Sequence, residues 1–495
     1  MTENNLNPST ELDAFEIKEA GIVREIKKGL IKIEGLSNCI YGQCVEVENK
    51  VRGIVIGFDA EEVVALVLGD EANISIGDRV WGKEEIFETS VGEVFIGRVV
   101  NCLGQTIDEK KESVSDLRMP IFAEAAPIMD RIPITEPLLT GIKVIDATIP
   151  VGLGQRELII GDRVTGKTTI AVDAIINQRD KGVICIYCWV GGSFSALTRV
   201  VSILHEHKAL DYTTVVAAAA STPSGQQFIV PYAAAAMGEY YMRKGKNVLV
   251  VFDDLTKHAW VWRQLSLLLE RPPGREAYPG DIFYIHSQLM ERAGRLSPEF
   301  GGGSMTFLPI VETQQGDVTG YVPSNLVSMT DGQIYLSSSL FHEGFKPAID
   351  LGLSVSRIGS KVQYEATKEV SAKLRLEYAQ YREIQRLSRL KTRVTGQTNE
   401  QLRKGQVLRE LFIQLAHAPV SWQEMVVLFY AYQRNILDML PAQSLLKFKA
   451  KIFPFLSERK PLLIKELTQG RVLIKSIKSE LDKGFLEFLK EEKIV

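Results

Sequence analysis

The chain has 495 residues, 45% of them hydrophobic and 24% charged, with a formal net charge of -3. That is too long for one core, and roughly two to four domains are expected. A near-neutral balance gives no global basic field, so no nucleic-acid partner is expected. No uninterrupted apolar run reaches the roughly 18 residues of a membrane-spanning helix. The opening Met1-Thr-Glu-Asn-Asn-Leu-Asn-Pro8 lacks the basic and apolar regions of a signal peptide, which points to a cytosolic protein.

Residues 1–20 are polar and read as an N-terminal tail. From Gly21 to about Lys83 the sequence alternates in short runs: Gly21-Ile-Val-Arg-Glu-Ile26, Leu30-Ile-Lys-Ile33, Gln43-Cys-Val-Glu-Val47, Gly53-Ile-Val-Ile-Gly57 and Val63-Val-Ala-Leu-Val-Leu68. Period-two runs divided by Gly, Asn and Asp predict a small β-barrel over 21–88. From about Glu84 to about Gly359, β-like runs alternate with helix-like ones, the pattern of a parallel α/β sheet. This predicts a central domain over 89–364. Beyond Lys361 strand signals fade, and Lys368–Leu390, Asn399–Ala416 and most of the tail to Val495 read as helices. Pro419, Pro441, Pro454 and Pro461 punctuate that helical domain, 365–495.

The densest chemical signal is Gly161-Asp-Arg-Val-Thr-Gly-Lys-Thr168. An apolar run, Arg156-Glu-Leu-Ile-Ile160, precedes it, and the helically spaced Thr169–Ile176 follows. Strand, GxxxxGK[ST], then helix is the context of a phosphate-binding loop. Gly161 and Gly166 let the backbone wrap closely, and the N–H groups of Asp162, Arg163, Val164 and Thr165 point inward beside a helix N-terminus. Lys167 is placed to reach terminal phosphates, and Thr168 to hold Mg²⁺ through its hydroxyl. Chemistry also requires a carboxylate at the end of a neighbouring strand. Asn247-Val-Leu-Val-Val-Phe-Asp-Asp254 supplies it. Asp253 is the candidate for Mg²⁺, through water, at the carboxyl edge where ligands bind. Asp254 reads instead as a cap for the following helix.

Five cysteines form a sparse, odd set. Cys185 and Cys188 make a CxxC inside Val183–Val190, a run that reads as a buried strand. Alternation sends their side chains to opposite faces, so they are read as small buried hydrophobes rather than as a metal or redox pair.

With these residues in place, the protein resembles the α-subunit family of the rotary F-type ATP synthases. Gly154-Gln-Arg-Glu-Leu-Ile-Ile-Gly-Asp-Arg163 and Thr165-Gly-Lys-Thr168 carry the resemblance. So do Phe252-Asp-Asp-Leu-Thr-Lys257, Arg271–Ser287, Val311–Val318, Thr330–Ile334 and Pro347–Arg357. The resemblance implies a multidomain fold: an N-terminal β-barrel, a central α/β P-loop (RecA-like) nucleotide-binding domain and a C-terminal α-helical domain. It implies a ring of alternating α and β subunits around a γ stalk, with a δ/peripheral stalk and a membrane ion-translocating sector as further partners. The implied location is peripheral, on the cytoplasmic face of the bacterial inner membrane. The implied ligands are ATP or ADP with Mg²⁺. In this family the β subunits are catalytic and the α sites are not.

The resemblance places a water-activating glutamate of β subunits just after the strand that follows the P-loop helix. Here that region is Trp189-Val-Gly-Gly-Ser-Phe-Ser-Ala-Leu197, and no acidic residue occurs between Asp180 and Glu206. A site that holds Mg-nucleotide but lacks its base is expected. By resemblance, Arg357 is the arginine finger that reaches the adjacent β site. A fixed-charge planar guanidinium suits that task, and such fingers are worth about 10³–10⁵ in rate.

The sequence also departs from the family pattern, as a divergent or alternate copy of the subunit would. Val164 and Gly192 stand where glutamines are usual, and Lys346 replaces an arginine. Gln414 matches one adenine-contacting glutamine, while Ala416 replaces the second. The short acidic stretch Glu11-Leu-Asp-Ala-Phe-Glu-Ile-Lys18 replaces a longer amphipathic helix that docks on the peripheral stalk. Two other functions stay open on sequence alone. One is a self-sufficient hexameric motor, which needs its own catalytic carboxylate. The other is a structural ring subunit that binds no nucleotide.

Overall fold

A computed structural model describes residues 19–48, 51–59, 61–388, 396–438 and 440–492. The stretch Glu11–Lys18 and residue Leu390 lie outside them. The described residues up to Phe87, with Pro223–Gln226, form one compact unit, and the remaining described residues form another.

In the first unit, β1 (Ala20–Lys27), β2 (Leu30–Gly35), β3 (Gln43–Val47), β4 (Arg52–Phe58), β5 (Glu62–Val67) and β6 (Arg79–Ile86) close into a barrel in the order β1-β2-β5-β4-β3-β6. Every pairing is antiparallel. Alternate residues such as Val23, Ile31, Ile33, Val45, Val55 and Val80 fill its interior, as period-two strands with one buried face require. Five of the strands coincide with the alternating runs of the sequence. The sixth, Arg79-Val-Trp-Gly-Lys-Glu-Glu-Ile86, carries charges and a glycine that weaken its signal.

The second unit holds the remaining strands: β7 (Glu88–Ser90), β8 (Val99–Val100), β9 (Arg118–Pro120), β10 (Pro137–Leu138), β11 (Val151–Gly152), β12 (Leu158–Gly161), β13 (Val183–Val190), β14 (Thr213–Ala218), β15 (Asn247–Asp253), β16 (Gly294–Arg295), β17 (Ser304–Glu312), β18 (Gly332–Leu336) and β19 (Val355–Ser356). Most join one sheet, ordered β19-β18-β12-β17-β15-β13-β14-β8, with β16 beside β17. The pairings from β18 to β8 are parallel. Its central strands are apolar on both faces: Val248–Phe252 are all fully buried, because helices cover both sides of a parallel sheet. Those helices are α1 (Lys143–Thr148), α2 (Lys167–Ile176), α3 (Phe194–Glu206), α4 (Ser224–Arg243), α5 (Leu255–Leu268), α6 (Ile282–Met290), α7 (Tyr321–Met329) and α8 (Ser338–His342). Cys185 and Cys188 are both fully buried in β13 and form no disulfide. Cys185 sits in the large core cluster, and Cys188 is outside it on the other face.

The C-terminal part is helical: α9 (Glu365–Ser371), α10 (Leu374–Ser388), α11 (Gly396–Phe412), α12 (Trp422–Gln433), α13 (Ala442–Arg459), α14 (Pro461–Gly470) and α15 (Lys475–Glu491). Phe412, Phe429, Phe448 and Phe485 join it to the same core cluster as the sheet. Two expectations need correction. The helix expected to reach Ala416 ends at Phe412, because the Gln414 N–H donates across to Lys346 O (2.9 Å) instead of to its own helix. Pro454 does not break α13 but lies inside it, where Phe448, Ile452 and Leu456 keep the helix seated in the core. Among the described residues no helix is long and apolar enough to cross a membrane.

A buried ion pair joins α4 to the segment after α6. Arg292 (Nε and Nη2) meets both Glu239 oxygens at 2.7 and 2.9 Å, and its Nη1 also donates to Ile121 O. The Arg292 side chain is fully buried and that of Glu239 nearly so. Removing one partner of such a pair leaves an uncompensated charge. Glu239→Ala is expected to cost about 3–5 kcal/mol, and Arg292→Met/Glu239→Leu to recover much of that loss in denaturant unfolding. A single-variant loss below about 1 kcal/mol would contradict this reading of the pair.

Candidate functional site

β12 ends at Gly161, in register with Glu312 of β17 and Leu336 of β18. A Cβ at Gly161 would lie 2.6 Å from Leu336 O, so only glycine lets the loop begin there. The backbone then runs through Val164 (φ 64°) and Gly166 (φ 100°) into α2. A positive φ is ordinary for Gly166 but strained for β-branched Val164. The Val164 side chain is 84% exposed at the loop's tip.

Asp162 sits in the loop, and its carboxylate is engaged within the protein. Its carboxylate accepts from Thr313 Oγ1 (2.7 Å), Gly316 N (2.7 Å) and Ser338 Oγ (2.8 Å). Burial alone would raise its pKa; those hydrogen bonds and the Lys167 charge outweigh it and hold the carboxyl below its usual value. Arg163 is largely exposed and its Nε pairs with Glu312 (2.9 Å). Thr165 Oγ1 donates to Asp162 O (2.7 Å). Lys167 is buried, and its ammonium donates to Gly161 O (3.0 Å) and Asp162 O (2.7 Å). Burial draws its pKa down, against the upward pull of Glu312, Asp254, Asp253 and Asp162. The ammonium therefore rests on the loop's own carbonyls.

Beside the loop, Thr168 Oγ1 and Tyr187 OH both donate to one oxygen of Asp253, at 2.7 and 2.8 Å. A hydroxyl and a carboxylate in contact are hard oxygen donors of the kind Mg²⁺ takes. Among the described residues no cluster of three or more His, Cys, Asp or Glu gathers to hold a metal, so an ion here would depend on the phosphates and water as well. Asp254 caps α5, accepting from Lys257 N (2.8 Å) and Lys257 Nζ (2.7 Å).

The end of β13 holds a pair that sequence reasoning missed. Trp189 lies in register with Asp253. Its indole covers Gly192 so closely that a Cβ there would sit 2.2 Å from the ring. Trp189 is only 6% exposed, its N–H meets no acceptor among the described residues, and Lys257 Nζ stands 5.7 Å from its centroid. Gly192 is thus fixed by the ring packed on it. A tryptophan three residues before a glycine gives no sign of this, because the contact depends on how the backbone turns after the strand.

A cavity of about 440 Å³ opens from Thr165, Gly166 and Thr169 towards Phe341, Pro347 and the Ile413–Ala416 segment. Gln414 lies on its wall, as expected, but its amide is committed. Nε2 donates to Gly141 O (2.7 Å) and Ala418 O (2.9 Å), and Oε1 accepts from Lys143 N (3.0 Å). Deeper in the wall, Asp173 accepts from His417 N (2.9 Å) and contacts its Nδ1 (3.0 Å).

Arg357 stands apart from this group. It follows edge strand β19, and its backbone N–H donates to Asp331 O (2.8 Å). Asp331 is itself gripped by Arg156 (3.1 and 2.8 Å). The Arg357 side chain is exposed, with one long contact to Val327 O (3.5 Å), and it does not line the cavity beside the loop.

A phosphate loop at the carboxyl edge of a parallel sheet, in a protein that also has a closed barrel and a helical C-terminal domain, defines a multidomain P-loop nucleotide-binding protein. Three family models match. They are the ATP synthase alpha/beta family β-barrel domain over residues 16–81, the nucleotide-binding domain of the same family over 141–356, and the C-terminal domain of the ATP synthase alpha/beta subunits over 363–488. The sequence is 47% identical over 475 residues to an ATP synthase subunit alpha of Caldanaerobacter subterraneus subsp. tengcongensis, covering 96% of this protein and 94% of that one. It is 45% identical over 481 residues to one from Petrotoga mobilis, covering 96% and 95%. The protein belongs to the ATP synthase alpha-subunit family.

Lys143, which holds Gln414 through its backbone, is itself a pH-sensitive element. Burial, reinforced by the Lys449 charge, lowers its pKa from 10.5 to about 7. Between those values the unfolded state binds the extra proton, so stability rises with pH over that window and the buried charge costs most below it. Lys143→Met should stabilise the protein more at pH about 6 than at pH about 9, read from urea unfolding midpoints. An equal effect at both would contradict a buried, readily neutralised Lys143.

Proposed function

We propose that this protein is the non-catalytic, regulatory nucleotide-binding subunit of an F-type ATP synthase head, and that it supplies an arginine finger to the neighbouring β subunit's catalytic site. The observation that carries the first half is the Trp189–Gly192 pair. A water-activating carboxylate would belong at the end of β13, and that position has no side chain and is covered by an indole. The acidic groups nearby are engaged: Asp253 with Thr168 and Tyr187, Asp254 with Lys257 and the α5 cap, Glu312 with Arg163. A self-sufficient motor would need one of them free to activate water.

The loop from Gly161 to Thr168 binds the phosphates of ATP or ADP through its backbone N–H groups and Lys167. That requires Lys167 to exchange its two carbonyl partners for phosphate oxygens. Thr168, with Asp253 behind it, holds Mg²⁺; the ion, when bound, offsets charge on the phosphate oxygens. Held so, the nucleotide is bound and left intact.

Arg357 carries the second half. Its backbone is fixed by Asp331 while its guanidinium is exposed, which suits a group that acts outside its own subunit. A delocalised, permanently charged fork can bridge oxygens of a phosphoryl group in transfer. In this reading β subunits alternate with this one around a γ stalk. A δ/peripheral stalk and a membrane sector that moves protons or sodium ions complete the machine. The protein is then a peripheral membrane component on the cytoplasmic face of the bacterial inner membrane.

Arg357→Lys is the test. The variant should assemble with β and γ normally, while ATP turnover by the complex falls by about 10³-fold or more. Near-normal turnover in a well-assembled variant complex would refute the finger.

A further inference from the structure

We propose that Glu157 is a positioning residue for Arg357, its buried carboxyl bracing the short edge strand that carries the guanidinium. This rests on the reading of Arg357 as a finger and adds a support for it among the residues ahead of the phosphate loop.

Arg357 directly follows β19, a strand of two residues at the edge of the sheet, paired with β18. So short a ladder gives little hold, and a group that must act at a fixed place depends on what grips the backbone around it. The grip comes from the segment that leads into β12. Ser356 Oγ donates to Pro150 O (2.8 Å). Arg156 holds the Asp331 carboxylate through its guanidinium and its own N–H (3.0 Å), and Asp331 O accepts the Arg357 N–H (2.8 Å). Glu157 completes this support from below Gly332, the residue that pairs with Ser356. A Cβ at Gly332 would lie 2.4 Å from Glu157 Oε2, 2.8 Å from its Oε1 and 2.4 Å from Val355 O. The carboxyl therefore packs on the Cα of Gly332 beside a carbonyl of β19, and only glycine admits it there.

Stability alone does not account for an acid at this position. Glu157 is fully buried. Gln155 Nε2 donates to its Oε2 (2.6 Å), while Oε1 has no partner among the described residues. A buried oxygen left without a partner is costly, and an apolar side chain of the same size would avoid that cost. Burial first, and then the Asp331 charge, push the carboxyl well above its ordinary pKa, against the Gln155 hydrogen bond and the Arg357 charge. The neutral acid is the favoured form. An ionised carboxylate here would draw the guanidinium inward, whereas a neutral one braces β19 and leaves the fork to face outward.

The experiment uses the full-length protein assembled with β and γ subunits of an ATP synthase. Glu157→Ala should assemble, lower kcat for ATP hydrolysis by about tenfold or more, and leave KM within about twofold, because a misdirected finger is missed in the transition state and not in substrate binding. Glu157→Gln, a neutral group of the same shape, should bring kcat back to within about threefold of the unaltered complex. In an Arg357→Lys background, Glu157→Ala should cause no further loss, because both changes act through one guanidinium. A normal kcat for Glu157→Ala, a Glu157→Gln complex no better than it, or losses that multiply with Arg357→Lys would each overturn the proposal. If Glu157→Ala does not assemble, Glu157→Asp, which draws the carboxyl back by one methylene, is held to the same outcomes. Failure of both to assemble would make Glu157 a folding residue only, and would also overturn the proposal. Near-normal turnover by Arg357→Lys alone refutes the finger itself, a distinct result that takes the proposal with it.

Discussion

The Asp162 carboxylate fastens the phosphate loop to the rest of the sheet. Its three donors come from Thr313 and Gly316 after β17 and from Ser338 at the start of α8. The loop therefore takes its shape from both neighbouring strands as well as from its own glycines. A half-buried carboxylate with three donors is strongly held, because each charge-assisted hydrogen bond exceeds a neutral one. Once Asp162 is fixed, Gly161 must pass close to Leu336, and Lys167 falls over the carbonyls of Gly161 and Asp162. Thr168 then meets Asp253 at the end of β15.

From that anchor the site divides into parts of different chemical character. The phosphate end keeps the cationic and hydroxylic groups that a phosphate and a divalent ion require. The end of β13 is closed by Trp189 over Gly192. At the other end of the cavity Gln414 is bonded to backbone on three sides. In the proposed reading, such a site holds a nucleotide and leaves it intact. Arg357 is directed differently, fixed through its backbone on an edge strand with its charge exposed. In the proposed reading, occupancy of the protein's own loop and a contribution to chemistry elsewhere fall to separate regions of one sheet.

Much of this was legible in the sequence, because it is local. The loop motif between an apolar run and a helical one, the strand ending in Asp253-Asp254, and the period-two runs of the barrel are all written within short windows. The opposed faces of Cys185 and Cys188 follow from strand alternation alone. The parts that escaped depend on residues far apart in sequence. The bonds of the Asp162 carboxylate to Thr313 and Ser338 are among them. The bonds of the Gln414 amide to Gly141 and Lys143 likewise join segments far apart in sequence. α11 was expected to run on to Ala416, because Lys346, whose carbonyl takes the Gln414 N–H, lies on a distant segment. The sixth barrel strand was missed for a different reason: its charges and glycine blur the alternation that its partners β1 and β3 enforce.

The most direct measurement is ATP hydrolysis by this protein purified alone, and again after mixing with the β and γ subunits of an ATP synthase. A subunit whose β13 end is closed by Trp189 and Gly192 should be silent by itself and should support turnover only in the mixture. Substantial hydrolysis by the isolated subunit would contradict a non-catalytic site, and would mean that one of its engaged carboxylates is freed to activate water.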